Sequence, residues 1–196
     1  TVLKVNPIIA TLGTLAAFGG IAFLIAPEGK PVGVMTQPQF TWLAQGRFMT
    51  VLPIPQLGNT DWPGVPVLTV ILLLVVLVAH FLMTYTDFGR AIYAIGGNDV
   101  AARLAGINLS RVRMLMYMFC GAVAGLAGVL LTARTTSGNP INGVGLELQA
   151  ITAVFLGGAA TTGGKGTVIG TFLAVILVGI LNNGMNLLGF NTFVQR

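Results

Sequence analysis

Long apolar runs alternate with shorter polar stretches along this chain. Four of the runs are about 20 residues long, which is the length an α-helix needs to cross the hydrocarbon core of a bilayer. They cover residues 7–26, 65–85, 114–133 and 167–188. A fifth run, 146–160, would reach only about 22 Å at 1.5 Å per residue, too short to span a core about 30 Å thick. The pattern predicts an all-α, polytopic transmembrane helical bundle in which one helix is short or broken.

The composition supports a membrane location and argues against a soluble fold. Hydrophobic residues make up 55% of the chain and charged residues only 8%, whereas soluble domains carry about 25% charged residues. The formal net charge is +5, but the sequence contains no basic stripe with interleaved aromatic residues. We therefore attribute the positive charge to the loops of a membrane protein and expect membrane lipid, not nucleic acid, as a partner.

The polar segments differ in charge according to the side of the membrane that each would face. Segment 86–113 contains four arginines, and the two other segments on its side contain Lys4 and Lys165. The segments on the opposite side are close to neutral: 27–63, 134–147 and 189–196. Because an excess of Lys and Arg in short loops marks the cytoplasmic side, the pattern predicts a cytoplasmic loop over 86–113 and an outer loop over 27–63.

A short helix is predicted within the cytoplasmic loop. Asn98 is a good N-cap residue, and Asp99 suits the positive N-terminal end of a helix. Apolar residues then follow at positions i, i+4 and i+7 and form one stripe over about two turns: Val100, Leu104 and Ile107. Gly106 can end this helix, and Ser110 can cap the next one.

Such a short helix needs a surface to rest on, because two turns do not stay folded alone in water. The surface could be the helical bundle of the same chain, which would make the helix an interfacial connector. It could also be a cytoplasmic protein, which would make it a docking helix. The local pattern leaves both alternatives open.

The segment Gly-Gly-Lys-Gly at residues 163–166 has some likeness to a phosphate-binding loop. A Walker-type loop requires G-x-x-x-x-G-K-[ST] between a strand and a helix, and here glycine follows Lys165 in a helical context. We therefore expect a tight cytoplasmic turn, and we assign any ATP hydrolysis to a partner.

Three amides lie towards the outer end of the last apolar run: Asn182, Asn183 and Asn186. They either hydrogen-bond between helices and cap them, or line a polar path for a hydroxyl-rich solute. His80 and Cys120 are each the sole residue of their type; packing is the favoured role of both, although an intramembrane histidine can relay protons. The sequence predicts no catalytic residue, no metal site and no cofactor.

Four characteristic segments follow one another between residues 89 and 190: GRAIYAIGGNDVAARLAGINLSRVR, CGAVAGLAGVLLTAR, ELQAITAVFLGGAATTGGKGTVIGT and ILNNGMNLLG. In this order they resemble the permease subunits of ribose-type ABC importers, within the wider family that includes branched-chain amino acid permeases. Members of that family are longer, so the resemblance implies that residues 1–196 are an incomplete part of a single transmembrane permease domain.

The resemblance also implies partners and a location. The family works as a pore of two permease subunits, identical or paralogous, with two cytoplasmic ATPase subunits and a periplasmic sugar-binding protein, in the bacterial plasma (inner) membrane. It implies that the A-A-x-x-x-G-I-N region faces the ATPase, with the 163–166 turn as a second candidate. The predicted ATPase contact therefore comprises Gly97, Asn98, Ala101, Ala102, Arg103, Gly106, Ile107, Asn108 and Lys165.

The expected function is that of a non-enzymatic permease for a monosaccharide, either a ribose-like pentose or a hexose. Alternative solutes are a furanose-like signalling molecule and a branched-chain amino acid, although an amino acid would need a charged partner in the path. A secondary transporter or channel without a motor is a further alternative. It would need carboxylates within the membrane for ion coupling, and Glu147 is the one acid near a predicted span.

Overall fold

The computed structural model describes residues 7–26, 30, 31, 33, 38–48 and 64–189. The predictions for Lys4, for most of the outer loop 27–63 and for residues 190–196 lie outside these ranges. The described helices, in chain order, are α1 (Pro7–Ile25), α2 (Pro38–Gln45), α3 (Val67–Tyr85), α4 (Asp87–Gly97), α5 (Asp99–Leu104), α6 (Leu109–Thr135), α7 (Leu146–Leu156) and α8 (Val168–Leu187). Two short antiparallel strands, β1 (Arg47–Phe48) and β2 (Val65–Pro66), pair with each other. The predicted all-α fold is confirmed.

Three of the helices, α3, α6 and α8, are long and apolar enough to cross a membrane. Most of their large apolar side chains lie on the protein surface; Leu77 is 69% exposed and Ile180 is 64% exposed. The buried residues of the described part are mostly small and include four alanines besides Ala26: Ala102, Ala133, Ala153 and Ala174. An apolar exterior around a small-residue interior suits lipid or further helices, because in water it would be strongly unfavourable.

The chain forms two compact groups. Of the described residues, the first group contains those up to residue 68 and 125–144, and the second contains 69–124 and 145–189. All of the predicted site residues belong to the second group.

Residues 86–113 hold more helix than the sequence predicted. The expected loop 86–113 contains α4 in addition to the predicted short helix. The Thr86 hydroxyl caps α4 by accepting a hydrogen bond from the Gly89 N–H at 3.3 Å. Gly89 allows the tight turn from α3, because a Cβ there would overlap the carbonyl oxygen of Met83. The apolar side chains of Phe88, Ile92 and Ile95 in α4 are partly buried, and this burial stabilises a segment whose glycines and charges resemble those of a loop.

The short apolar helix predicted over residues 146–160 is also confirmed. Helix α7 has 11 residues and is about 16 Å long at 1.5 Å per residue, roughly half the thickness of a bilayer core. Gly158 then adopts a left-handed conformation with φ of 88°, which ends the helix before the predicted residue 160. The end of α7 lies against the beginning of α8, where a Cβ at Gly157 would be 2.5 Å from the Cα of Thr171.

Candidate functional site

Helix α5 begins at a residue that also closes α4. The Asn98 side-chain oxygen accepts hydrogen bonds from the N–H groups of Val100 at 2.9 Å and Ala101 at 3.0 Å. The backbone N–H of the same residue donates to the carbonyl oxygen of Ala94 at 3.0 Å. This satisfies donors that the start of a helix otherwise leaves free. The predicted N-cap is confirmed, and one residue joins the two helices.

Replacement of Asn98 with alanine is expected to loosen α5 without unfolding the protein. The change removes both accepted hydrogen bonds, and losing an N-cap costs about 1 kcal/mol. Hydrogen exchange measured by mass spectrometry should become about fivefold faster in a peptide that covers Val100 and Ala101. The control is Asn139→Ala, which removes a similar bond to Ile141 elsewhere. Equal exchange rates in wild type and Asn98→Ala would show that the cap is unimportant.

The end of α5 is a Schellman motif, the turn in which a left-handed glycine closes a helix. Gly106 has φ of 82°. Its N–H donates to the Arg103 carbonyl at 3.0 Å, and the Ile107 N–H donates to the Ala102 carbonyl at 3.1 Å. The predicted stop at Gly106 is confirmed. The helix is nevertheless only six residues long, so Ile107 lies beyond it and does not extend the predicted apolar stripe.

The start of α6 differs from the prediction. Helix α6 begins at Leu109, so Ser110 lies inside it. The cap is Asn108, whose side-chain oxygen accepts a hydrogen bond from the Arg111 N–H at 3.1 Å. Leu109 is buried and is the first residue of α6. The polar residue before it, Asn108, therefore stands in the capping position.

The two sides of α5 have very different exposure. Ala102 is 3% exposed and rests against the rest of the protein, whereas Val100 is 68% and Leu104 is 84% exposed. The carboxylate of Asp99 forms an ion pair with Arg113 of α6 and links the two helices at the surface. An interfacial connector would place its apolar stripe against its own bundle. In α5, Ala102 faces the rest of the protein instead, and the larger side chains of Val100 and Leu104 project outward.

The second candidate contact, the 163–166 turn, lies directly against the end of α4. A Cβ at Gly163 would be 2.7 Å from the carbonyl oxygen of Gly96, and a Cβ at Gly164 would be 2.7 Å from the nitrogen of Gly97. The Tyr93 hydroxyl donates to the carbonyl oxygen of Gly166 at 2.9 Å. The turn therefore lies beside the point from which α5 begins, and Lys165 is exposed there. The sequence alone did not place these two candidates together.

The three asparagines lie elsewhere. Asn182 is half-buried, and Asn183 and Asn186 are exposed near the end of α8. Asn182 is 14 residues beyond Val168, the first residue of α8. It therefore lies about 21 Å along the helix axis from the end of α8 that follows the 163–166 turn. The structure does not join these residues to the surface formed by α5 and the turn.

Sequence reasoning missed a groove of about 700 Å³ in the second group. Its walls come from α3, α4, the start of α6, α8 and the 163–166 turn and are largely apolar, with side chains such as Leu72, Val76, Met83, Ile92, Met116, Phe172 and Val175. The groove depends on α4, which the sequence did not predict. It offers few hydrogen-bonding groups, so it is poorly suited to a hydroxyl-rich solute.

These features define a class. Long apolar helices, one half-length helix and a capped amphipathic segment on one side belong to a polytopic membrane permease. The described residues contain no group of three or more His, Cys, Asp or Glu side chains that could hold a metal ion. A family model described as "Branched-chain amino acid transport system / permease component" matches residues 1–195. The chain belongs to this family, which consists of transport proteins and not of enzymes, and it is a multi-pass protein of the bacterial inner membrane.

The similar curated proteins include several sugar permeases. The ribose import permease RbsC of Bacillus subtilis (strain 168) is 39% identical over 193 residues, which are 98% of this chain and 55% of the relative. RbsC of Escherichia coli (strain K12) is 38% identical over 195 residues, 98% of this chain and 56% of the relative. The L-arabinose permease AraH of the same strain is 34% identical over 193 residues, 98% and 54% respectively. The chain spans about half the length of these relatives. No solved structure matches.

Proposed function

We propose that this chain forms part of the permease subunit of an ATP-driven importer for a monosaccharide, either a ribose-like pentose or a hexose. In this proposal a periplasmic binding protein delivers the sugar, two permease subunits form the pore, and two cytoplasmic subunits hydrolyse ATP. The choice of sugar is supported by relatives whose names specify ribose and L-arabinose.

The main support for an ATP-driven mechanism is that α5 exposes apolar side chains at the protein surface. The helix is capped at both ends, rests on Ala102 and leaves Val100 and Leu104 on the outside. A short helix that exposes two apolar side chains is suited to an apolar groove on another protein. We assign the ATPase contact to this surface together with the 163–166 turn, where Lys165 adds an exposed positive charge.

In the proposed cycle, closure of the ATPase subunits moves the docking surfaces of the two permeases and converts the pore from inward-facing to outward-facing. This requires contacts that differ in free energy between the two states. The asparagines near the end of α8 would then offer amide donors and acceptors to a sugar at the outer side. The chain itself supplies binding and movement, and the partner supplies the chemistry of hydrolysis.

The acidic residues disfavour a transporter without a motor. Asp87 and Asp99 lie on the cytoplasmic segment, where they pair with Arg90 and Arg113. Glu147 lies in the first turn of α7 and accepts a hydrogen bond from the Gly145 N–H at 3.1 Å. Among the residues with described positions, no carboxylate lies in the middle of an apolar helix, where ion coupling would require one.

A branched-chain amino acid is the second candidate solute, because the description of the matching family names that class. A free amino acid carries both an ammonium and a carboxylate group, and a buried path for it needs charged or strongly polar partners. The amides of Asn182, Asn183 and Asn186 fit hydroxyl groups better than they fit two opposite charges. The monosaccharide is therefore the solute that we propose.

Uptake by proteoliposomes tests the proposal. The permease that contains this chain is reconstituted with its ATPase and binding protein, and entry of radiolabelled ribose is followed. We expect uptake to fall at least about tenfold without ATP, to persist when ionophores collapse ion gradients, and to be competed by L-arabinose or a hexose. In a parallel assay, entry of radiolabelled leucine without entry of ribose would establish the amino acid. Uptake driven by an ion gradient without the ATPase would establish the motor-free transporter.

A further inference from the structure

We propose that the contact between α4 and the 163–166 turn is the mechanical link that carries movement of the docking helix to the α7–α8 pair. We name this contact the glycine link; it consists of Tyr93, Gly96, Gly163, Gly164 and Gly166. The inference rests on the proposed function, because it describes how the same docking surface would act on the membrane helices.

The two backbones in the glycine link touch with no side chain between them. A Cβ at Gly96 would lie closer than 3.0 Å to the nitrogen of Gly164, and a Cβ at Gly163 would lie 2.7 Å from the carbonyl oxygen of Gly96. Real Cβ atoms essentially never approach so closely. The obstructing atoms are backbone atoms, which cannot swing aside as a flexible side chain can. Any larger residue at these positions must therefore separate α4 from the turn.

A hydrogen bond also joins α4 to the turn within the glycine link. The half-buried Tyr93 donates its hydroxyl proton to the carbonyl oxygen of Gly166 at 2.9 Å. Tyr93 precedes Gly96 by three residues, so both lie on the same face of α4. The bond joins residues that are 73 positions apart in the chain. Movement of α4 in any direction thus strains either the backbone contact or this bond.

The link is short on the docking side. Only Asn98 separates α4 from α5, and its backbone and side chain hydrogen-bond to both helices. The ion pair between Asp99 and Arg113 further limits rotation of α5. A displacement of α5 therefore moves the end of α4 instead of being absorbed by a flexible connection.

The link is equally short on the membrane side. Thr167 follows the turn immediately and caps α8, with its hydroxyl accepting a hydrogen bond from the Gly170 N–H at 3.1 Å. The turn is closed by the Ala160 N–H, which donates to the carbonyl oxygen of Lys165 at 3.0 Å. The close approach of Gly157 and Gly170 then joins the end of α7 to the start of α8. Movement of the turn thus reaches both helices.

The test compares two variants of the glycine link with a matched control, all in the reconstituted complex. Gly96→Ala forces the backbones apart, and Tyr93→Phe removes a single hydroxyl. The control is Gly143→Ala, because a Cβ there meets nothing within 4 Å. Three quantities are measured: ATPase subunits retained by the purified permease, ATP hydrolysed, and sugar taken up.

We expect Gly96→Ala to retain the ATPase subunits within about twofold while sugar uptake per ATP falls at least about fivefold, the size of the smallest typical coupling factors between sites. Tyr93→Phe should lower the same ratio about threefold, close to the loss of one hydrogen bond. The control should equal wild type. The wild-type complex must show ATP-dependent uptake for the comparison to be made, so a failure of the proposed function is recognised separately.

Two outcomes would overturn the inference. If both variants keep the wild-type ratio of sugar to ATP, the contact transmits nothing. If Gly96→Ala loses ATPase subunits and uptake in equal measure, the contact shapes the docking surface and does not transmit its movement. Should Gly96→Ala fail to insert, Tyr93→Phe decides alone, because an unchanged ratio in that variant contradicts the glycine link.

Discussion

Replacing Val100 with glutamate and Leu104 with lysine should abolish capture of the ATPase subunits and, with it, sugar uptake. Both residues are mostly exposed, so the double change leaves the interior of the permease untouched. We treat both residues as hot spots of the proposed interface, for which truncation costs at least about 2 kcal/mol each. Two such anchors replaced by charges should weaken ATPase binding by about 100-fold or more.

The charges are chosen so that α5 itself is preserved. Glutamate near the start of a helix and lysine near its end both oppose the helix dipole favourably, and the pair is spaced at i and i+4. Loss of binding therefore cannot be attributed to melting of the helix. ATPase retention is measured by affinity purification of the permease. Val144→Glu is the control, because Val144 is 65% exposed but lies on the predicted outer side. Normal retention in the double variant would contradict the docking assignment and favour an interfacial connector.

Replacing Gly170 with alanine should destabilise the α7–α8 pair more than the same change at Gly179 or Gly184, the other glycines of α8. The added Cβ would overlap the carbonyl oxygen of Gly157 and lie 2.8 Å from the Thr167 hydroxyl that caps the helix. In an open helical position the same change is favourable by up to about 1 kcal/mol. Here overpacking against backbone should instead cost about 3 kcal/mol.

Thermal unfolding of the purified permease in detergent measures this effect. We expect the midpoint of Gly170→Ala to fall by several degrees, because a loss of 1 kcal/mol lowers the midpoint by about 2 to 4 °C in a domain of roughly 150 to 250 residues. The matched control is Gly179→Ala in the same helix, where a Cβ meets nothing within 4 Å. That control should match wild type or exceed it. If the two variants unfold at the same temperature, the close approach of α7 and α8 is not important for stability.

Much of the fold follows from patterns that extend over a few residues. Each predicted apolar run contains a helix, and three of these helices, α3, α6 and α8, are long and apolar enough to cross a membrane, because that capacity is read from length and composition. The cap at Asn98 and the stop at Gly106 were also correct. Each acts on backbone groups within about four residues, so the local sequence is sufficient.

The errors arose where a local pattern admits two structures. Helix α4 was missed because its charged and glycine residues resemble a loop, and its helical state depends on packing against neighbouring elements. The cap of α6 was assigned to Ser110 although Asn108 performs it. Both residues can cap a helix, and the burial of Leu109 decides between them. The stripe that was expected to include Ile107 ends at Leu104 for a similar reason, because the helix closes before it.

The sequence by itself determined the class of protein, the half-length helix and the two ends of α5. Only the tertiary structure decided that α5 and the 163–166 turn form one surface, and that Ala102 faces inward while Val100 and Leu104 face outward. The physical reason is the range of the forces. Helix caps and apolar periodicity act between near neighbours, whereas the glycine link brings together backbones about 70 residues apart, as its Tyr93–Gly166 hydrogen bond spans 73 positions. Such a close approach depends on the shapes of both segments together, so the sequence of either segment alone does not predict it.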